Sequence, residues 1–411
     1  MRGKRIRRQR RLEVSGLALL LWALVLLWST SGAQGQRRST QQKPANSGPA
    51  PTLEQLGDAP PPLPTPTPKP TPTPLPPEDK AENYDVVRVT SNLVVVPVAV
   101  TDAVGQPVLG LSAKDFHLEE EGRAQEIAEV GSSEQVPLDI AILFDVSSSV
   151  SEKYKFQQEA AARFLKEVMK PVDRAAVFAI KDQPYLEQPL SPANVAASKL
   201  LTLPAAVLPT PTAFYDAVAG AAEYLAKNAP ERHRRVILVI SDGEDNFSNE
   251  IRDAAVAEAV ALNKVKKEDR TKAEIEAEKA AIRASRRSTQ QTLHRNALAS
   301  VQQAVERGDV VFYSINPTGP SYRLNEISTR AQLGMQQLAD RTGGTAFVPQ
   351  TTQDLETVFR QIANELRAQY LLQYYSNDQS QNSGKFLRIK VSVPSTANLR
   401  IRARQGYYSK K

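Results

Sequence analysis

The chain has 411 residues, 41% hydrophobic and 24% charged, which is enough for two or three packed domains and too apolar for a wholly disordered protein. It has no cysteine, which excludes disulfides, thiolate metal sites and a cysteine nucleophile, and its only histidines, His117, His233 and His294, make histidine-based hydrolysis or a zinc centre a poor fit. The formal charge of +7 is concentrated in residues 1–33, with seven basic side chains and one acid; removing that +6 leaves +1, so nucleic acid is not an expected partner.

Residues 1–33 have the order of a secretory signal: a basic start, the apolar run LALLLWALVLLW at 17–28, then Ser31-Gly32-Ala33, small residues at the positions a signal peptidase reads. Twelve apolar residues fall short of the roughly 20 that a bilayer crossing needs. Cleavage after Ala33 is therefore expected, with an uncleaved anchor over residues 14–31 as the alternative and a membrane contact only in that case. The paired arginines lack the apolar residues that follow them in a twin-arginine signal, so general secretion is the simpler route. The expected location is the periplasm, the cell envelope or the medium.

Residues 34–83 are polar and proline-rich and include APPPLPTPTPKPTPTPLPP at 59–77. Alternating Pro and Thr can neither donate to a backbone ladder nor bury a face, so polyproline II is expected, a stalk of about 60 Å at about 3.1 Å per residue. A ligand for proline-binding modules is the weaker reading, because those modules are mostly cytoplasmic.

Next, VVRVTSNLVVVPVAV at 86–100 reads as strand or hairpin. Phe116 and Leu118 alternate with His117 and Glu119, Glu121-Gly122 offers a turn, and 125–130 returns. His117 falls on the polar side and reads as a surface residue. The texture then changes. IAILF at 140–144 and VILVI at 236–240 are unbroken apolar runs of the kind found in parallel strands covered on both faces, with further candidates at 177–180, 310–315 and 345–348. Phe156, Ala160, Phe164 and Val168 share one helical face, and Leu298, Val301 and Val305 another. Strand and helix alternate, which predicts a doubly wound, mostly parallel α/β fold.

Residues 252–296 are rich in Ala, Glu, Lys and Arg with few large apolar side chains, which predicts a solvated helical hairpin with a break near 285–292 and leaves His294 exposed. His233, among charges before a buried strand, carries no expected role. After residue 369 period two returns: 370–375 is a strand, Leu387, Ile389, Val391 and Val393 line one face of a second, and Leu399, Ile401 and Ala403 one face of a third. Arg388, Lys390, Arg400, Arg402 and Arg404 form a basic stripe opposite, more a solvated face than a binding site. Both ends are expected to pair into one β unit flanking the central sheet. The expected organisation is thus a signal peptide at 1–33, a linker at 34–83, an N-terminal β unit at 84–135, an α/β domain at 136–368 with a helical insertion at about 252–296, and C-terminal strands at 369–411.

IAILF runs into Asp145 and VILVIS into Asp242, and in open α/β sheets ligands bind at the carboxyl ends of the strands. Asp145 opens DVSSS, placing Asp145, Ser147 and Ser149 two residues apart in one loop; LPTPTAFYDAV adds Thr212 before a helix. Oxygen ligands with only two carboxylates suit a hard divalent cation such as Mg²⁺, with Mn²⁺ or Ca²⁺ as substitutes. Taken singly, the serines also serve as helix N-caps and Asp242 as a turn residue before Gly243.

DxSxS at Asp145, Ser147 and Ser149, Thr212 ahead of YDA, and the apolar strand ending SDGEDN at Asp242 together resemble the von Willebrand factor A domain and its metal-ion-dependent adhesion site. The flanking segments VVVPVAVTDAVGQPVLGLSAKDFHLEEEG and FLRIKVSVPSTANLRIRARQGYY further resemble exported A-domain proteins of Acidobacteria and related bacteria. The resemblance spans about residues 86–408. It implies that the serines and Thr212 ligate the metal, that the aspartates act directly or through water, and that a protein partner's acidic side chain completes the sphere, without catalysis. Two features depart from the family pattern: Pro211 stands where glycine usually precedes the threonine, which makes Thr210 a fallback ligand, and the 252–296 stretch is longer than the usual single helix. A Mg²⁺-dependent phosphohydrolase and a metal-independent structural envelope protein are the competing functions. The first would want a second acid where Ser147 stands, and a serine hydrolase would need a GxSxG elbow that the chain lacks.

Overall fold

The computed structural model describes residues 93–409 apart from 148–151, 207–209, 266–269, 321–324, 352, 378–383 and 395–397; the expected signal, the stalk and Ser149 lie outside the described residues. Four strands come first: β1 (Leu93–Thr101), β2 (His117–Glu120), β3 (Arg123–Gln125) and β4 (Ile127–Ser132). The α/β section follows with β5 (Leu138–Asp145), α1 (Glu152–Val168), β6 (Arg174–Ile180), β7 (Pro184–Ser191), α2 (Ala193–Leu201), α3 (Phe214–Asn228), β8 (Arg234–Ile240), α4 (Asn249–Asn263), α5 (Lys272–Arg307), β9 (Val310–Ile315), α6 (Glu326–Thr342), β10 (Ala346–Phe347) and α7 (Asp354–Ala368). Then come β11 (Tyr370–Tyr375), β12 (Phe386–Ser392), β13 (Arg400–Ala403) and β14 (Gly406–Tyr408).

The central sheet has the order β10-β9-β8-β5-β6-β7 among the described residues, parallel except at the β7 edge. Its strands are unbroken apolar runs because both faces are covered. Ile140, Ile142 and Phe144 of β5 pack under α1, α2 and α7, while Ala141 and Leu143 face α3, α5 and α6. The antiparallel β7 is invisible to a search for apolar runs: PYLEQPLS carries two prolines, which an edge strand tolerates. After β5 the chain moves to β6 on one side and then to β8 on the other, so a crevice opens at the carboxyl ends of β5 and β8.

The two chain ends do build one β unit. β1 lies between β11 and β13, and β12 pairs with β2 from Ile389↔Glu120 to Ser392↔His117. Two four-stranded sheets, β13-β1-β11-β4 and β14-β12-β2-β3, enclose a core of Val96, Val98, Leu118, Leu372, Tyr374 and Ile389. Glu120 is buried there and accepts hydrogen bonds from Tyr374 Oη at 2.5 Å, Ser376 Oγ at 2.6 Å and Tyr407 Oη at 3.0 Å, which joins both sheets through one carboxylate. The basic stripe is partly spent inside the protein: Arg402 pairs with the buried Glu365 of α7, and Arg404 pairs with Asp309 and donates to the Val95 carbonyl at 2.7 Å. Arg388, Lys390 and Arg400 stay exposed.

The 252–296 stretch differs from its expected form. α4 and α5 pack against each other, but α4 ends at Asn263, α5 begins at Lys272, and α5 runs through 285–292 without a break. Its start is fixed by a capping box in which the Thr271 side chain accepts from Glu274 N while Glu274 accepts from Thr271 N. Its C-terminal half carries the sheet-facing Ala297, Val301 and Val305, and this packing holds the polar half in one continuous helix.

Removing the Glu120 carboxylate strands three hydroxyl donors in the β unit. Glu120→Ala is expected to destabilise the protein by about 2–4 kcal/mol in chemical denaturation, and Tyr407→Phe by about 1 kcal/mol. A loss below about 0.5 kcal/mol for Glu120→Ala would mean that the carboxylate does not join the sheets.

Candidate metal centre

In-register parallel pairing, with Phe144 opposite Ile240, brings the residues after β5 and β8 to the same end of the sheet. Asp145 is 9% exposed and both its oxygens are engaged: Oδ1 accepts from Ser147 N at 2.9 Å and Ser147 Oγ at 2.5 Å, and Oδ2 accepts from Ser241 Oγ at 2.7 Å. Asp242 lies next along from Ser241, half-buried, with Oδ1 accepting from Glu244 N at 3.0 Å. Burial raises the Asp242 carboxyl from 3.8 to about 6, and the nearby charge of Asp145 adds to the rise. Burial, then the same Asp145 charge, pushes up the Tyr154 phenol on α1. Among the described residues neither aspartate has a lysine, arginine or histidine beside it.

Thr212, 6% exposed, arrives from the loop before α3. Pro211 has no N–H, yet the next residue is held on both sides: Thr212 N donates to Asn246 Oδ1 at 2.8 Å, and the Thr212 carbonyl accepts from Asn246 N at 3.0 Å and Phe247 N at 3.1 Å. The same loop is tied to its neighbours by Ala213 N to the Lys181 carbonyl at 2.7 Å and Ala206 N to the Val146 carbonyl at 2.9 Å. Thr210, the fallback ligand, has its hydroxyl sealed without a partner among the described residues.

The expected residues Asp145, Ser147, Thr212 and Asp242 therefore all lie on loops at one end of the sheet, and Ser149 falls outside the described residues. Sequence reasoning missed the residues that hold them. Asp245 accepts from Tyr215 N at 2.8 Å, from Phe247 N and Ser248 N, and from the Ser248 hydroxyl; Ser248 Oγ in turn accepts from Asp216 N at 3.1 Å. α3 has no cap of its own, so its orphan amides are satisfied from the β8 loop, with a carboxylate at the positive end of the helix. The spacing Asp245-x-x-Ser248 is a local turn signal, but nothing in it points to a helix thirty residues earlier. Gly243 adopts φ +76°, a backbone conformation that favours glycine, and it rests against the end of the Met335 side chain of α6.

One histidine departs from its expected place. His294 is not exposed: it is 3% exposed, edge-on to Tyr215 with ring centroids 5.9 Å apart, because the half of α5 that carries it packs on the domain. His233 Nδ1 lies 2.9 Å from Oδ2 of the fully buried Asp139, which Arg174 also binds through two hydrogen bonds of 2.8 and 2.7 Å. That cluster sits at the opposite end of β5 and holds the sheet rather than the crevice. His117 is exposed as expected, 3.0 Å from Glu119.

Residues 140–244 match the family described as von Willebrand factor type A domain, a span that covers every expected site residue from Asp145 to Asp242. This stretch of the chain is similar to a von Willebrand factor A domain. The chain is similar, at 11% identity and TM-score 0.38, to a von Willebrand factor type A protein from Catenulispora acidiphila, over 79% of this chain and 76% of that one. Proximal thread matrix protein 1 from the mussel byssus, with a zinc-occupied MIDAS motif, is similar at 12% identity and TM-score 0.35, over 59% of this chain and about half (48%) of that one. The von Willebrand factor domain of the type V pilus tip protein Mfa5 from Porphyromonas gingivalis is similar at 13% identity and TM-score 0.35, over 56% of this chain and 94% of that one. No curated protein matches the sequence. Among the described residues no helix is long and apolar enough to cross a membrane.

The donors in this crevice are all oxygens. Among the described residues no group of three or more His, Asp or Glu converges as a metal centre; what comes together is a pair of carboxylates with Ser147 and Ser241 against Asp145, and Thr212 on a neighbouring loop. An all-oxygen set with two unneutralised carboxylates fits a hard divalent cation. Without the cation, the folded protein holds the Asp242 proton more tightly than the unfolded chain does, so between pH 3.8 and about 6 it carries more protons and loses stability as pH rises. Asp242 alone therefore contributes about 1–2 kcal/mol more stability to the metal-free protein at pH 5 than at pH 7, while the buried His294, whose pKa is lowered, works in the opposite direction; Asp242→Asn should shift the pH 5-to-7 stability difference by that ~1–2 kcal/mol and melt higher than wild type at pH 7. Thermal denaturation in metal-depleted buffer is the check; a wild-type pH slope unchanged in Asp242→Asn would assign it to other groups.

Proposed function

We propose that the protein is an exported binding module that captures a protein ligand through a Mg²⁺-dependent adhesion site and has no catalytic activity of its own. Asp145, Ser147, Ser149, Thr212 and Asp242 are its metal-binding residues. The observation that carries this reading is the pair Asp145 and Asp242 at neighbouring strand ends, with no cationic side chain beside them among the described residues and with Ser147 and Thr212 held at the same end. A hard divalent ion bound there supplies an electrophilic point for an outside carboxylate.

The protein's own residues prepare that point. Two carboxylates balance a divalent charge, and the neutral hydroxyls add ligands without adding charge, so the site keeps its appetite for an acidic side chain. Ser241 and the Ser147 amide orient Asp145, and Asn246 holds the Thr212 backbone, so little ordering remains to be done when a ligand arrives. In this reading residues 1–33 act as the export signal and residues 34–83 as a linker to an A domain at 136–368 with a β unit at 84–135 and 369–411.

Mg²⁺ at about 100 times its dissociation constant is expected to stabilise the wild type by about 2.7 kcal/mol and Asp145→Ala not at all. Asp145→Ala should keep the far-ultraviolet spectrum and lose chelator-sensitive capture of an acidic protein ligand in envelope pull-downs. Capture that survives both chelator and Asp145→Ala would favour a structural envelope role. Phosphate-ester turnover that Asp145→Asn abolishes would make the protein a phosphohydrolase.

A further inference from the structure

α5 and α6 flank a groove of about 540 Å³ that lies beside the metal crevice and is separate from it. His294, Leu298 and Tyr215 line it, with Arg295 and Arg330 at its edge. Its size falls within the range of small-molecule sites, which run from about 300 to 1,000 Å³.

Three features of the groove point to an anion. His294 is almost wholly buried, and its Nδ1 has no hydrogen-bond partner among the described residues. Burial, with the neighbouring Arg330 charge, lowers the ring to about 4, so it is neutral at physiological pH. Arg330 is close enough to act on both His294 and Tyr215, and no described carboxylate pairs with it; the contact that Arg295 makes is a 3.4 Å hydrogen bond to the Thr292 hydroxyl. The first turn of the 17-residue α6, from Asn325 to Thr329, opens onto the same space and adds the positive end of a helix. Glu326 is the acid on this rim. Two guanidiniums against one carboxylate leave a single positive charge, which a monoanion neutralises and a phosphate dianion overshoots. Leu298 and the Tyr215 ring, with Gly334 alongside, supply an apolar wall.

We propose that this groove binds a small organic carboxylate with an apolar body, its carboxylate held by Arg330 and its apolar part lying against Leu298 and Tyr215. The planar guanidinium fork matches a carboxylate, and the apolar wall gives the rest of the molecule a place that water fills poorly.

The test uses phenylacetate, its neutral isostere phenylacetamide, and inorganic phosphate, titrated into full-length Asp145→Ala protein in metal-depleted buffer, where the metal crevice cannot compete. The imidazole C–H resonances of the three histidines are few enough to follow by NMR. Phenylacetate is expected to shift the His294 resonances saturably, the amide to bind about tenfold or more weaker, and phosphate to bind weaker still. Arg330→Gln should cost about tenfold or more with an unchanged melting temperature, and Arg330→Lys should recover part of the loss. No saturable shift up to about 10 mM phenylacetate, equal binding of the amide, equal binding of phosphate, or an Arg330→Gln affinity within about twofold of the parent would each overturn the proposal.

Discussion

Parallel pairing of β5 with β8, in register from Leu138↔Arg234 to Phe144↔Ile240, delivers Asp145 and Asp242 to one end of the sheet, where burial strips hydration that no described lysine or arginine restores. Two like charges in that position are costly to a protein that keeps them both ionised, and the raised pKa of Asp242 records the cost. Burial elsewhere in the chain is handled differently. Asp139, equally deep at the other end of β5, is paired with Arg174 and His233, and Glu120 is satisfied by three hydroxyls. In the crevice Asp145 is likewise held by Ser147 and Ser241, and it is Asp242 whose burial is left to show as a raised pKa.

The surrounding loops are organised to hold that arrangement. Asp145 cannot rotate freely, because Ser147 and Ser241 occupy its two oxygens. Thr212 cannot drift, because Asn246 grips its amide and its carbonyl together. Asp245 lends its charge to the start of α3, so the loop that carries Thr212 and the loop that carries Asp242 are one hydrogen-bonded unit. Among the described residues, Asp145, Ser147 and Thr212 are thus held by the sheet and by hydrogen bonds between its loops.

The parts legible in the sequence are those written in local pattern. Unbroken apolar runs marked β5, β8 and β9; period two marked β11, β12 and β13; and the aspartates at the ends of β5 and β8 marked the crevice, since strand direction in a parallel sheet puts equivalent ends together. What the pattern hid depends on partners far away in the chain. β7 is a strand because β6 offers an edge, despite Pro184 and Pro189. His294 is buried because its half of α5 lies on the domain, although the composition around it is that of a solvated helix. Arg402 and Arg404 belong to a stripe that looks solvent-facing until Glu365 and Asp309 are brought opposite them. Asp245, Asn246 and Ser248 follow the aspartate that draws attention, and their partners, Thr212, Tyr215 and Asp216, lie about thirty residues upstream.

The same long-range contacts make the crevice and the α5–α6 groove neighbours in a mechanical sense. Tyr215 gives its backbone amide to Asp245 on the crevice side and its ring to His294 on the groove side. Gly243, one residue after Asp242, rests against the end of the Met335 side chain of α6 in a left-handed conformation (φ +76°) that larger residues rarely adopt. Anything that moves α6 or the Tyr215 ring must therefore move the Asp242 loop or break the packing. Whether that contact carries coupling is a question of differential affinity: a groove ligand influences the crevice only to the extent that it prefers one position of Tyr215 over another. Linkage then requires a cation in the crevice to change the affinity of the groove by the same factor. Rigid packing at Met335 and His294 favours two discrete positions over gradual yielding, because a close-packed interior has no room for intermediate ones.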